Sequence, residues 1–403
     1  MIARRRLRTT QKRNITTATS TAPPANGRQR IVLVLQGGGA LGAYHIGAYQ
    51  ALHEAGMEPD WIAGVSIGAI NGCVLVGNAP ADRVARLEQL WSAISWPESV
   101  DFWSNIHGFE KRMHNVASHV EAMLVGQPNF FFPRVPSPQF VPDQEPENVS
   151  FYVSAPMMQT LRTFADFDLI NAKRTRLSVG ATHVRTGTLI FFDNEKQTIA
   201  PDHVLASGSL PPGLPGTRVD GELFWDGGCV SNTPLDVIFD EPFDGRTIVF
   251  MIDLWSSLGR EPRNLDEVRW RQNDIMYASR SSHRLQALAS RRNLQHALSR
   301  LKVTNPDSEV AVASVSATRD IETSFGSGTI DIMHVTYLPP EDEIPAAGSD
   351  FSRSSIESRR EAGYRDMRHC LDARPWSTTS RPALAAASVH HYQDGKITTH
   401  HPF

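Results

Sequence analysis

Ser66 stands in GVSIGA, residues 64–69, within and directly after the apolar run WIAGV. A serine between Gly64 and Gly68 at a strand-to-helix turn is placed as a nucleophile. The bend projects its hydroxyl from the sheet edge, and the glycines relieve the crowding. On these residues alone, a tight turn in which Ser66 only caps the next helix is the alternative. Acyl transfer to such a serine also needs N–H groups aimed at the oxygen on which negative charge develops. QGGGALG, residues 36–42, offers them. Gly37, Gly38 and Gly39 let the backbone approach closely, and the helix expected behind them adds the positive end of its dipole. Gly37, Gly39 and Gly42 also satisfy G-x-G-x-x-G, a dinucleotide signature. That reading needs an acidic residue at the end of the second strand, but the strand ends in Gly64, Val65 and Ser66, and Asp60 lies at its other end.

The serine needs a base. Fifteen histidines are present and none stands in a motif that recommends it; His183 and His203 are the candidates by position. Asp226 in WDGGCVSNTP is the stronger candidate. It ends the apolar run 223–225, and Gly227 and Gly228 permit a sharp turn, so its carboxylate is expected at a strand's C-terminal edge, where Ser66 also emerges. A Ser66–Asp226 dyad becomes plausible beside the two histidines. Asp220, Asp244 and Asp394 each precede a single glycine and read as turn residues. The pairs His390–His391 and His400–His401 fall in an Ala/Ser/His-rich end expected to be loose, without the tight spacing of a metal site. No metal and no organic cofactor is expected.

These residues need elements to hold them. The run 31–35, IVLVL, suits a strand covered on both faces. A helix with Ile46, Tyr49 and Leu52 on one side follows and stops at Gly56, and a second strand, 61–65, leads through Ser66 into a helix ending at Val76. Strand, helix, strand, helix is the pattern of a parallel sheet with covering helices. Further strands are expected at 176–181, 189–193, 223–226, 247–253 and 329–338, and helices at 81–94, 116–124, 266–303 and 352–371. The Pro-rich connection 127–146 reads as a surface excursion.

At 403 residues with 40% hydrophobic side chains, the chain is long enough for a large core. A net charge of −3 argues against nucleic acid as the main partner, but eight basic residues and no acid fall in the first thirty, so removing those eight leaves −11 on the remainder. The Ser/Thr/Ala/Pro-rich stretch 1–28 lacks a secretory core and reads as a disordered basic tail, a composition that would also suit a transit peptide or an arm for anionic membrane. No apolar stretch approaches the roughly 20 residues of a membrane span. Cys73, Cys229 and Cys370 are few and scattered, as for free thiols in a reducing compartment, so a cytoplasmic location is expected. Residues 269–302 hold eight Arg or Lys against Asp274, with Leu285, Leu288, Leu298 and Leu301 available for an apolar stripe. Such a helix lies on anionic lipid as a peripheral contact or packs its leucines onto the catalytic region. The aromatic clusters Phe102–Trp103 and 130–132 either line an acyl channel or fill core.

GGGALG, GVSIG, ASGSLPPGLPG (206–216) and DGGCVSNTP, in this order and spacing, resemble the four motif blocks of the patatin-like phospholipase family. The likeness covers roughly residues 30–253. It implies an α/β protein, a three-layer α/β/α patatin-like fold with a mainly parallel central sheet, related to the α/β hydrolases. Carried over by motif position, Ser66 is the nucleophile, Asp226 the general base, and the amides of Gly37, Gly38 and Gly39 the oxyanion hole, with Gly42, Gly64, Gly68, Gly227 and Gly228 as motif glycines. The implied activity is serine lipid acyl hydrolysis of phospholipids or neutral acyl lipids through an acyl-enzyme. The alternatives are a polyhydroxyalkanoate depolymerase with the same dyad, a non-catalytic membrane-associated protein, and, least favoured, a nucleotide-binding oxidoreductase. Many family members carry Arg or Lys where this chain has Leu41, which weakens the expectation of an anionic headgroup docked at the turn. DFSRSSIESRREAGY (350–364) resembles the C-terminal extension of a bacterial branch of the family. The expected organisation is a tail over 1–28, a catalytic domain over 29–255, and an extension over 256–403, helical with at least one strand, packed on that domain.

Overall fold

The computed structural model describes residues 29–95, 126–141, 144–242, 244–300, 326–340 and 347–403. The basic tail, the helix expected at 116–124, the Phe102–Trp103 pair and the Leu301–Lys302 end of the basic helix lie outside them.

The first half runs β1 (Arg30–Leu35), α1 (Tyr44–Glu54), β2 (Trp61–Val65), α2 (Ile67–Val76), α3 (Arg83–Ala93), a short pair β3 (Phe132–Pro133) and β4 (Tyr152–Val153), α4 (Ala155–Phe164) and α5 (Phe167–Asn171). Next come β5 (Arg176–His183), β6 (Thr188–Asp193), α6 (Pro201–Ser207), β7 (Thr217–Val219), β8 (Glu222–Asp226), α7 (Asp236–Phe239) and β9 (Arg246–Asp253). The chain closes with α8 (Leu265–Arg300), β10 (Thr329–Thr336), α9 (Arg353–Ala373), α10 (Pro375–Thr378), β11 (Ala387–Gln393) and β12 (Lys396–His400).

One ten-stranded sheet takes the order β12-β11-β10-β9-β1-β2-β5-β8-β7, with β6 also on β5. It is parallel from β11 through β5 and antiparallel at β12, β6, β8 and β7. β1 lies mid-sheet, and its alternation splits the core in two. Ile31, Leu33 and Leu35 join α1, α2 and α9 on one face, while Val32 and Val34 join α7 and α8 on the other. Each such side chain contributes about 1.5–3 kcal/mol on full burial, which makes this central strand a rigid base for the turn that follows it. The result is the expected three-layer α/β/α fold.

Residues beyond 255 add β10, β11 and β12 to this same sheet and supply a helix to each face. The C-terminal end is therefore not loose, as its composition led us to expect. His390 sits within β11, where it bonds Thr399 of β12 at 2.9 Å and Asp331 of β10 at 3.3 Å. Paired backbone and satisfied imidazoles permit polar residues there. The basic helix turns its apolar stripe inward: Leu285 and Leu288 are buried against the sheet, Arg284 and Arg291 pair with Asp236 and Asp240, and Arg292 donates to the Gly326 and Gly328 carbonyls. Only Leu298 of the stripe is exposed among the described residues. Phe130 packs on Phe351 at the margin of the core, the half-buried Phe131 packs on Tyr152, Phe132 is exposed, and none of the three lines the cavity beside Ser66. Among the described residues no helix is long and apolar enough to cross a membrane.

Candidate active site

β2 and β8 approach each other along one edge of β5 from opposite directions. β2 ends with Val65 beside Gly180, and β8, running antiparallel to it, ends with Asp226 beside Ala181. Their C-terminal ends meet, so Ser66 and Asp226 converge across a single residue step of β5. The sequence places both residues at strand ends; the reversal of β8 is what brings those ends together.

Ser66 adopts φ 56° and ψ −127°, a conformation that costs a non-glycine residue roughly 1–3 kcal/mol. Its surroundings enforce the bend. The Ser66 N–H donates to Ser207 Oγ at 2.9 Å, and that hydroxyl donates to the Gly180 carbonyl at 2.6 Å. A Cβ on Gly64 would sit 2.4 Å from the Gly68 carbonyl carbon, and one on Gly68 would sit 2.2 Å from the Leu35 carbonyl oxygen. Strand, helix and β1 thus touch backbone to backbone, and both glycines of G-x-S-x-G are needed for that contact.

Asp226 is buried. Its Oδ1 accepts the Gly228 N–H at 2.7 Å, its own N–H donates to the Ser209 carbonyl at 2.9 Å, and its carbonyl accepts Thr182 Oγ1 at 2.8 Å. Ser207 and Ser209 both come from ASGSLPPGLPG, so this block anchors the serine and the aspartate together. Oδ2 is buried and completes no hydrogen bond among the described residues. Burial pushes the carboxyl up to about 6, against the opposing influence of the Ser66 hydroxyl and the Gly228 amide. The Ser66 hydroxyl favours the carboxylate while Oδ2 is left without a partner among the described residues, and hydrogen bonds of such pairs often tighten only when substrate is bound.

The glycine-rich turn differs from expectation at one position. The Gly37 N–H donates to the Asn232 carbonyl at 3.1 Å and is spent there. The N–H groups of Gly38 and Gly39 donate to nothing among the described residues, and both glycines line the cavity beside Ser66. Gly42 packs against Ile67, and Gly227 against the Gly180 carbonyl, so these motif glycines serve close contact.

The cavity has a volume of about 280 Å³. Leu210, Trp255, Trp270 and Tyr277 form its apolar wall, and Asn232, Asn273 and Ser349 supply polar atoms. The Trp255 ring lies 5.1 Å from the rings of both Trp270 and Tyr277. Burial and the nearby Asp226 charge raise the Tyr277 hydroxyl, which keeps it a neutral donor. Asp226 is the one ionisable carboxylate, and no Arg, Lys or His lines the cavity among the described residues. His183 is instead held by Thr186 and Glu222, and His203 lies against Phe192 and the start of α6. Sequence reasoning missed the α8 wall. Asn232 was at least visible within DGGCVSNTP, whereas Trp270, Asn273 and Tyr277 carry no local signal beyond their helical spacing. Among the described residues no group of three or more His, Cys, Asp or Glu is placed to hold a metal ion.

A serine elbow facing a buried carboxylate on a three-layer α/β/α sheet is the architecture of an α/β-type serine hydrolase. Residues 33–239 match the family described as patatin-like phospholipase, and residues 275–383 match one described as patatin phospholipase. The first match covers more than half of the 403 residues, and the chain belongs to the patatin-like phospholipase family. Among curated relatives, it is 45% identical over 62 residues to neuropathy target esterase sws of Drosophila melanogaster and of Drosophila sechellia. That segment is 15% of this chain and spans 4% of the length of those relatives. Among solved structures it is similar to VipD from Legionella pneumophila, at 14% identity over 86% of this chain and 67% of that one, with a TM-score of 0.37. It is also similar to ExoU, solved with SpcU of the Pseudomonas aeruginosa type III secretion system, at 17% identity over 73% and 59% of the two chains, with a TM-score of 0.26.

Proposed function

We propose that this protein is a lipid acyl hydrolase that cleaves carboxylic esters through a Ser66–Asp226 dyad. The observation that carries the reading is the meeting of β2 and β8, which sets the strained Ser66 against a buried carboxylate, with no histidine lining their cavity among the described residues. In this mechanism Asp226 Oδ2 takes the Ser66 proton as Oγ attacks the ester carbonyl. The Gly38 and Gly39 amides receive the oxyanion. Collapse expels the alcohol, which takes the proton from Asp226 and leaves an acyl-enzyme. Water then attacks with Asp226 again as base, releasing the acid and restoring Ser66.

The cavity supports an uncharged ester whose acyl group lies on Trp255, Trp270 and Tyr277, because no described cation lines it to receive a phosphate. Its volume falls near the lower end of ligand pockets, about 300–1,000 Å³, which suits a short acyl segment. Neutral acyl lipids fit this better than anionic phospholipids, and a polyester repeat shares the same chemistry.

The test is intact-protein mass after incubation with a fluorophosphonate, for the wild type, Ser66→Ala and Asp226→Asn, alongside hydrolysis of p-nitrophenyl esters. A single adduct on wild type, none on Ser66→Ala, and hydrolysis lost in both variants is the expected result. A folded wild type that labels on a residue other than Ser66, or an Asp226→Asn variant that hydrolyses as well as wild type, would sink the dyad.

A further inference from the structure

The segment DFSRSSIESRREAGY has no part in the chemistry above, yet its buried residues converge on the glycine-rich turn. α9 crosses α1 at two glycines. A Cβ on Gly47 would sit 1.9 Å from the Arg360 carbonyl, and one on Gly363 would sit 2.1 Å from the Tyr44 carbonyl, so the two backbones are in direct contact. α1 follows the turn without a break, and a helix locked this closely fixes where the turn begins.

Arg359 extends from this crossing with no exposed surface. Its Nη1 donates to the Ala40 carbonyl at 3.1 Å and to the Asp350 carbonyl at 2.8 Å, and its Nη2 lies 3.9 Å from the Asp350 carboxylate. That carboxylate is itself fully buried and accepts the Ser352 N–H at 3.0 Å and the Ser355 hydroxyl at 2.6 Å. A buried guanidinium is costly unless charge and hydrogen bonds compensate it. Here a dedicated carboxylate does so, while one guanidinium nitrogen remains committed to the turn.

The consequence follows from peptide planarity, because a carbonyl and the N–H of the next residue point in opposite directions. Holding the Ala40 carbonyl sets the Leu41 N–H, which donates to the Gly38 carbonyl at 3.2 Å. Holding the Gly38 carbonyl sets the Gly39 N–H. At the other end of the turn, the Gly37 carbonyl accepts Asn232 Nδ2 at 2.6 Å and Trp255 Nε1 at 2.9 Å, which sets the Gly38 N–H. The two free amides are therefore aimed from behind, one by the catalytic half of the chain and one by Arg359.

We infer that Arg359, held by Asp350, is a positioning residue that aims the Gly39 amide at the oxyanion and places a buried positive charge behind the turn. The inference rests on the function proposed above. Its test compares steady-state ester hydrolysis and the fluorophosphonate labelling rate in Arg359→Met, Arg359→Lys and a control, Arg360→Gln. The control loosens the same helix crossing through the Glu88 and Gln50 contacts without touching the turn. Arg359→Met is expected to lower kcat and the labelling rate by about 10²-fold with KM changed less than about threefold, the signature of a misaimed catalytic group. Arg359→Lys keeps the charge and one donor and should recover part of that loss; it decides the matter if the Met variant does not fold. Folded Arg359 variants that keep kcat within about twofold, lose activity through KM alone, or lose no more than Arg360→Gln at equal thermal stability overturn the inference. A wild type that fails to label on Ser66 overturns the dyad instead.

Discussion

Asp226→Asn separates what the aspartate does for chemistry from what it costs the fold. The carboxyl moves from an ordinary value of 3.8 to about 6 because burial disfavours its charged form more than its two polar neighbours favour it. Each tenfold change in proton affinity is worth about 1.4 kcal/mol, so holding this side chain charged costs the folded state about 3 kcal/mol. The sign follows from proton counting. Between pH 3.8 and about 6 the folded protein binds more protons here than the unfolded chain, so stability falls as pH rises through that window, and the full penalty is present above it. Asparagine keeps an acceptor for the Gly228 N–H and carries no charge at any pH.

The expected outcome is a variant that is more stable than wild type by about 3 kcal/mol at pH 8, with the gain shrinking to near zero by about pH 4. The same variant should lose ester hydrolysis by roughly 10²–10⁴-fold, the range for loss of a general base. The assay is urea unfolding at several pH values, with the difference between the two proteins taken at each. Taking differences removes the contribution of Asp274, whose carboxyl burial also pushes up, to about 7. A stability difference that is flat with pH, or a variant less stable than wild type at pH 8, would refute the reasoning that desolvation dominates at Asp226.

The wild-type kcat/KM should rise with pH along a limb centred near 6, because the raised carboxyl must lose its proton to act as base, and Asp274→Asn should leave that limb in place; a limb near 4 in a pH–rate profile contradicts this. Trp270→Ala should raise KM for an octanoate ester roughly tenfold while leaving the acetate ester nearly unchanged, since only the longer chain reaches the indole; equal effects on both would remove Trp270 from the acyl wall. Gly68→Ala forces a methyl to within 2.2 Å of the Leu35 carbonyl and should cost about 1–3 kcal/mol in unfolding experiments together with most of the activity.

The parts of this site that were legible in the sequence are those made by short-range geometry. The elbow at Ser66 and the turn after Asp226 announce themselves because only glycines at fixed offsets allow those backbones, and the strands behind them read clearly from unbroken apolar runs such as IVLVL. What was not legible depends on pairing at long range. Nothing near Asp226 reveals that β8 runs opposite to β2, and nothing near Gly37 reveals that Asn232 consumes its N–H. β11 and β12 were read as loose because ASVHHYQ and KITTH carry polar side chains. The partners that fix β11 lie far away in sequence, in β10, whose strand pairs with it and whose Asp331 meets His390 at 3.3 Å. The leucines of the basic helix were ambiguous for a related reason: an amphipathic stripe shows that one face must be covered, but not by what.

The C-terminal part bears on the site from two directions. α8 crosses one face of the sheet and delivers Trp270, Asn273 and Tyr277 to the cavity, whereas α9 crosses the other face and delivers Arg359 to the back of the turn. The catalytic half alone would present the elbow and the carboxylate with an open wall on one side and an unsupported turn on the other. A boundary near 255 cuts between β9 and β10, which pair over eight residues from Thr329 beside Arg246 to Thr336 beside Asp253. Truncation there would expose a central strand edge as well as removing the wall and the support. On the proposed mechanism the segment after β9 helps to aim both the ester and the oxyanion, so substrate preference should follow substitutions in α8 while turnover follows those in α9.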